Sequence, residues 1–232
     1  MTEGVTLSDT SGDIGGRRID SYAAVLWDMD GTLVDTEPCW TAAELALAER
    51  YGGTWSQAQS LQVVGFDLLE AARLMRAQMG IDVAPQRMVD EMLDDVTEQV
   101  EREVPWRPGS RELLASLTQA GVPCALVTMS YGRFVKPILQ ALPAGSFSAV
   151  VTGDTVARGK PHPEPYLTAA RGLDVLAGEC LAIEDSDTGA TSAAAAGCTV
   201  LCAPLHVPIP SGPGRIFTES LVGLLASSTL PG

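Results

Sequence analysis

Ala23-Ala24-Val25-Leu26-Trp27-Asp28-Met29-Asp30-Gly31-Thr32-Leu33-Val34-Asp35-Thr36 carries an apolar run into two aspartates and a Gly-Thr turn. In a strand, residues i and i+2 point the same way, so Asp28 and Asp30 are expected together at the strand's carboxyl end. That end is where open α/β sheets bind ligands. Two carboxylates about 4 Å apart repel by roughly 1 kcal/mol in water and about 4 kcal/mol at an effective dielectric of 20. The pair therefore calls for a cation. Taken alone, the stretch also reads as a strand ending in an acidic turn, since Asp and Gly favour turns.

Outward from this stretch, the chain changes pattern twice. Residues 1–20 are polar and Gly-rich and read as a flexible leader. From 36 to 107 only helices are expected. Pro38 opens the first and Gly52-Gly53 close it. A second covers about Asp67–Met79, and a third follows Pro85. In the third, Met88, Met92, Val96 and Val100 recur every four residues on one face. That stripe packs a core or lines a ligand site. After Pro105-Trp106-Arg107-Pro108-Gly109, helices alternate with strands at Cys124–Thr128, Ala149–Thr152, Cys180–Glu184 and Thr199–Cys202. A last short helix is expected near Thr218–Ala226. Strands alternating with helices predict a parallel, doubly wound α/β sheet.

Four further signals fall at strand or loop ends. Leu126-Val127-Thr128-Met129-Ser130 ends a strand in hydroxyls, with Ser130 also able to cap the next helix. Gly159-Lys160-Pro161-His162-Pro163 holds Lys160, one of only two lysines, so its placement is selective. A phosphate-binding P-loop is excluded there. Five residues separate Gly153 from Gly159, and proline follows the lysine, where that loop needs four and then Ser or Thr. His162 reads as a turn residue. Ile183-Glu184-Asp185-Ser186-Asp187-Thr188-Gly189 delivers adjacent acids into a small-residue helix, with Asp187 as the expected N-cap.

In this combination and order the chain resembles the haloacid dehalogenase-like superfamily, specifically its helical-capped phosphatase and β-phosphoglucomutase-like branch. The resemblance implies a Rossmann-like core of residues 21–35 and 108–232, with a small all-helical cap of 36–107 inserted after the first strand. It implies Asp28 as nucleophile and Asp30 as general acid and base. It further implies phosphate contacts by Gly31, Thr32, Thr128, Met129 and Lys160. Mg²⁺ would be held by Asp28, the Asp30 carbonyl and Asp185, with Glu184 supporting the site or substituting as a ligand. Mg²⁺ favours such sets of one or two carboxylates completed by water and phosphate. The acid at Asp30 points to phosphate rather than halide chemistry, and the cap lacks the lysine that phosphonate hydrolysis uses in this superfamily. By analogy, Glu37, Trp40, Gly65 and Phe66 face the substrate. Trp40 and Phe66 either exclude water over it or pack into the cap's own core.

Composition limits the partners. The 232 residues carry a formal net charge of −14, and the segment 36–107 has 13 acids against 6 arginines. Nucleic acid and anionic membrane, which need clustered basic residues, are disfavoured. A small phosphorylated metabolite fits better. Five dispersed cysteines without a Cys-x-x-Cys pair predict free thiols in a reducing cytoplasm, and a monomer or weak dimer is expected. Two rivals keep the same residues. A sugar phosphomutase shares the core motifs, although Val63-Val64-Gly65-Phe66-Asp67 lacks the basic residues of its cap loop. A non-catalytic phospho-aspartate signalling or binding protein would use the acids as a switch.

Overall fold

A computed structural model describes residues 12–226. Its centre is a six-stranded sheet built from β3 (Ala24–Trp27), β4 (Cys124–Val127), β5 (Ala149–Val151), β6 (Cys180–Glu184), β7 (Thr199–Cys202) and β8 (Arg215–Phe217). The strand order is β5-β4-β3-β6-β7-β8, and every neighbour runs parallel. The chain leaves β3 in one direction to β4 and β5, then returns to β6 on the other side. The switch point therefore lies between β3 and β6, where such sheets bind ligands.

Alternate residues of each strand feed opposite faces. Val25, Trp27, Leu126, Leu181 and Ile183 join the core on one face, while Ala24, Leu26, Ala125, Ala182 and Val200 join that on the other. Helices α5 (Ser110–Gln119) and α6 (Gly132–Gln140) contribute to the first core. Helices α7 (Glu164–Gly172) and α8 (Asp187–Ala195) contribute to the second. Fully buried strands with apolar residues on both faces are what a sheet covered on both sides requires.

Between β3 and α5 lie only helices: α1 (Glu37–Arg50), α2 (Gln57–Ser60), α3 (Leu68–Met79) and α4 (Pro85–Arg102). The methionine and valine stripe of α4 is buried, each residue at most 2 % exposed, and Met92 also borders the central cavity. The stripe thus serves both expected roles. Two connections bring this helical unit back to the sheet. Val34 bridges Trp106, and Arg133 of α6 pairs with Asp94 at 3.0 Å and Asp90 at 3.4 Å on α4.

Three expectations are corrected. The flexible leader is ordered from Gly12 onward: β1 (Asp13–Ile14) and β2 (Arg17–Arg18) form a hairpin that seats Ile14 and Ile19 in the core with no exposure. Residues 1–11 of that leader lie outside the described residues. The short helix expected near Thr218–Ala226 is absent; the segment turns at Gly223, whose φ is +82°. The sheet also gains β8 as an edge strand. No described helix is long and apolar enough to cross a membrane, and all five cysteines are free, four of them buried.

Candidate active site

The ends of β3 and β6 bring the acids together. Asp28 follows β3, and Glu184 and Asp185 close and follow β6. One oxygen from each of Asp28, Glu184 and Asp185 lies within 4.8 Å of the others, and all three residues are buried. Lys160 reaches this cluster with a side chain only 3 % exposed. Its Nζ donates to Asp28 Oδ1 at 2.7 Å and to Glu184 Oε1 at 2.6 Å. Tyr166 of α7 also donates to Glu184 Oε1, at 2.5 Å, and its ring centroid lies 5.2 Å from the ammonium.

Glu184 holds Lys160 while remaining one of the three clustered acids. Lys160 and Tyr166 occupy one of its oxygens, and Ser186 donates to the other at 3.3 Å. Gly189 makes room for this carboxylate: a methyl there would sit 1.9 Å from Glu184 Oε1. Burial would lower the Lys160 ammonium, but Asp28 and Glu184 outweigh it and hold it above its ordinary value.

The opposite oxygen of Asp28 is different. Oδ2 is buried without a hydrogen-bond partner. Burial, then the charge of Glu184, pushes Asp28 up to about 7. Burial and the neighbouring acids Asp28 and Glu184 likewise raise Asp185 well above the carboxylate range. A buried charge without a partner is costly, so a carboxylate with an orphaned oxygen, clustered with a second carboxylate, fits a hard divalent cation. Gly31 and Thr32 enclose the same spot. Gly31 has φ +84°, and a Cβ there would lie 2.0 Å from Asp185 Oδ2. Thr32 is fully buried and donates to Asp185 Oδ1 at 3.4 Å.

Asp30 stands apart from the acid cluster and is held by four donors. Thr36 at 2.6 Å and Trp40 at 3.3 Å reach Oδ1; Ser130 at 2.8 Å and Thr128 at 3.1 Å reach Oδ2. Ser130 is therefore not the helix cap expected of it. Tyr131 occupies that position, and the hydroxyl is spent on Asp30. The expected cap at Asp187 also moves by one residue. Ser186 caps α8 by accepting from the Gly189 N–H, while Asp187 is the first helical residue and pairs with Arg215 at 2.7 Å. Met129 lines the cavity, and its sulfur accepts from the Lys160 N–H at 3.2 Å.

A cavity of about 80 Å³ sits over these groups, roofed by the helical unit. Glu37, Trp40, Gly65 and Phe66 all border it. Trp40 is 8 % exposed, stacks edge-on against Phe134 of the core at 5.4 Å, and donates to Asp30. It thus touches both the core and the proposed acid, beyond either role expected of it. Phe66 is 39 % exposed and closes the rim. Several contributors escaped the sequence reading, among them Tyr166 on Glu184 and His206 at the cavity's border. Glu44 lines the cavity while accepting from the Trp55 indole at 2.8 Å. Arg107 is buried, donates to the Gly31 carbonyl at 2.7 Å, and lies within electrostatic reach of Asp185, Asp35 and Asp28. Its place in the return linker, beside Trp106 which bridges Val34, was the available signal.

Glu37 is a stability liability. Burial, then Glu44 and Asp30, pushes its carboxyl up to about 8 from 4.5. Between those values the folded state holds a proton that the unfolded state has released, so stability falls as pH rises through the window. Glu37→Gln is expected to raise Tm by a few degrees at pH 8 and hardly at all at pH 5, since one kcal/mol moves Tm by about 2–4 °C at this size. Thermal melts of both proteins in chelator at the two pH values check this; a pH-independent difference contradicts it.

Comparison with known proteins agrees with this arrangement. The haloacid dehalogenase-like hydrolase family matches residues 25–203. The plasmid-borne protein CbbY of Cupriavidus necator is 34% identical over 200 residues, covering 78% of each chain. Hexitol phosphatase A of Escherichia coli K12 is 32% identical over 189 residues, covering 79% of this chain and 84% of its own. The crystal structure of CbbY from Rhodobacter sphaeroides in complex with phosphate superposes with a TM-score of 0.76 at 25% identity, over 86% of this chain and 95% of that one. The parallel sheet with its inserted helices, and the strand-end acids that the family match spans, make this chain a member of the haloacid dehalogenase-like hydrolase family.

Proposed function

We propose that this chain is a Mg²⁺-dependent phosphomonoester hydrolase that works through an aspartyl-phosphate on Asp28, acting on a small phosphorylated metabolite in the cytoplasm. The carrying observation is Asp28 itself. Lys160 fixes one of its oxygens, while the other is buried, unpartnered and beside Asp185.

Asp28 attacks phosphorus, forming a new P–O bond as the ester P–O bond breaks. The leaving alkoxide takes a proton from Asp30. Asp30, now a carboxylate, takes a proton from water as that water attacks phosphorus, and the bond to Asp28 breaks to release phosphate. Splitting one displacement in two is the gain of covalent catalysis, and one residue serves as acid and then base. The four donors around Asp30 fix its orientation for both transfers. Lys160 and the backbone around Gly31 and Met129 would hold the phosphoryl oxygens, joined by the Thr128 hydroxyl once it turns from Asp30. Asp28, Asp185 and the Asp30 carbonyl would hold Mg²⁺, which supplies charge neutralisation of the phosphoryl group and both carboxylates.

Relatives named for hexitol phosphates, and one crystallised with phosphate, support the substrate class. The phosphomutase reading gains no support from the cap. A mutase must seat a second phosphate, but Arg76 pairs with Asp82 at 2.7 Å, and neither it nor Arg73 borders the cavity. The test is hydrolysis of para-nitrophenyl phosphate with phosphate release. Turnover is expected with Mg²⁺, is expected to fall by at least about 10²-fold in chelator, and is expected to return on Mg²⁺ addition. Chelator-insensitive turnover overturns the metal assignment, and no turnover with any metal overturns the hydrolase.

A further inference from the structure

The acid cluster and Lys160 form the floor of the cavity, so a phosphate seated there directs its leaving group toward the cap. What the cap offers is unusual in charge. The described residues bordering the cavity include no arginine, and their only lysine is Lys160, already engaged by two carboxylates. The arginines of 36–107 lie elsewhere: Arg50 and Arg87 pair with Glu91, Arg76 with Asp82 and Arg102 with Glu98, Arg107 donates to the Gly31 carbonyl, and Arg73 is exposed away from the cavity. In their place stand Glu37 and Glu44, two turns apart on α1, both bordering the cavity.

The two acids are held differently. Glu44 is 5 % exposed and anchored by Trp55, while no described residue donates to the Glu37 side chain. The other cap side chains that border the cavity are apolar and carry no charge, and the one polar group among them, the Trp40 indole, is spent on Asp30. A second phosphate or a carboxylate on the leaving group would face buried Glu44 and half-buried Glu37, and the one further basic side chain on the cavity, His206, is paired with Asp35 at 2.6 Å. Hydroxyl or ammonium donors would instead complete acceptors that the protein leaves open. Burial beside Glu44 already raises Glu37, a penalty that donors relieve and a second anion deepens.

We infer that Glu37 and Glu44 are specificity-determining residues, selecting phosphomonoesters whose leaving group carries hydrogen-bond donors and rejecting those with a second anionic group. This rests on the hydrolase reading above. It distinguishes the chain from any enzyme that must grip a bisphosphate by both ends, and it names a chemistry, donors at the far end, that a polyol or an amine can supply.

The test compares kcat/KM for five esters in Mg²⁺. Sorbitol 6-phosphate and phosphoethanolamine present neutral and cationic donors, phosphoglycolate and glucose 1,6-bisphosphate present second anions, and para-nitrophenyl phosphate reports the hydrolase itself. At least one donor ester is expected to exceed both anionic esters by about tenfold or more, and which one does so separates polyol from amine. In Glu37→Gln and Glu44→Gln the ratio is expected to shrink to a few-fold, through gain on the anionic esters as well as loss on the donor ester. Glu37→Gln alone decides the matter if Glu44→Gln does not fold. Anionic esters turned over as well as donor esters, rejection of all four metabolite esters, or a ratio unchanged in the variants each overturn the inference while para-nitrophenyl phosphate turnover persists. Loss of that turnover in the parent protein overturns the hydrolase reading instead.

Discussion

Asp28→Asn is expected to lower turnover of para-nitrophenyl phosphate by at least about 10⁴-fold, the order seen when a nucleophile is removed from a covalent mechanism, while leaving the protein folded. The two halves of this expectation have separate causes. The amide keeps the shape and can still accept from Lys160, but its oxygen is too weak a nucleophile to take the phosphoryl group. Stability follows the charge instead. Asp28 is a buried acid raised to about 7 by burial and by Glu184. Between its ordinary value and about 7 the folded state holds a proton that the unfolded state has released, so the neutral amide removes a penalty that builds through that window and is fully present at pH 8. Lys160 retains Glu184 as a partner at 2.6 Å. Tm of the variant at pH 8 without metal should therefore equal or exceed that of the parent. Added Mg²⁺ should stabilise the parent more than the variant, because the variant lacks one charged ligand. Activity within tenfold of the parent would remove Asp28 from the mechanism, and a collapsed Tm would show that its charge is structural.

Such a pairing of lost activity with kept stability is expected where a fold concentrates acids for function. Beneath the cavity Asp28, Glu184 and Asp185 cluster beside one ammonium, with Arg107 in electrostatic reach of Asp28 and Asp185. The helical unit adds two more acids above them. Each of these carboxyls is either raised by burial or tied to Lys160. Asp30 lies outside the cluster and accepts from four side-chain donors.

How much of this was legible in the sequence follows from where the information resides. Asp28, Asp30, Thr128 and Asp185 lie at or just past the ends of short apolar runs, and pattern alone places such ends along one edge of a parallel sheet, while Lys160 stood out by its rarity and its Gly-Pro setting. The helical unit was legible because its apolar residues repeat at helical spacing. What escaped depends on tertiary contact. The β1–β2 hairpin is Gly-rich and charged, and it is ordered because Ile14 and Ile19 find the core. Strand β8 is three half-buried residues whose only credential is pairing with Cys202 and its neighbours. Ser130 and Asp187 were assigned as caps from local preference, but long-range partners, Asp30 and Arg215, claim their side chains. Tyr166 looks like an ordinary core aromatic until its hydroxyl is found on Glu184. Glu44 looks like a solvated helix acid until Trp55 folds over it.

Lys160→Met carries the second large effect, this time on stability and activity together. The ammonium is buried and shared by two carboxylates at 2.7 and 2.6 Å. Methionine fills similar volume but leaves both acids without a counter-charge. Removing one partner of a buried ion pair costs about 3–5 kcal/mol, which for a chain of this size lowers Tm on the order of 10 °C. The cost must depend on pH. With the lysine gone, Asp28 loses the charge that holds its value down and rises further above its unfolded value. The folded state then holds protons that the unfolded state has released, and stability falls as pH rises. The variant should melt close to the parent near pH 5 and far below it at pH 8. Mg²⁺ should recover part of the loss at pH 8 by supplying charge to the same acids. Turnover does not recover with it, because phosphoryl oxygens lose a donor that is worth about 10²–10³ in rate. A surface lysine would give none of these signatures, so a variant with the parent's melting curve at pH 8 would place Lys160 outside the site.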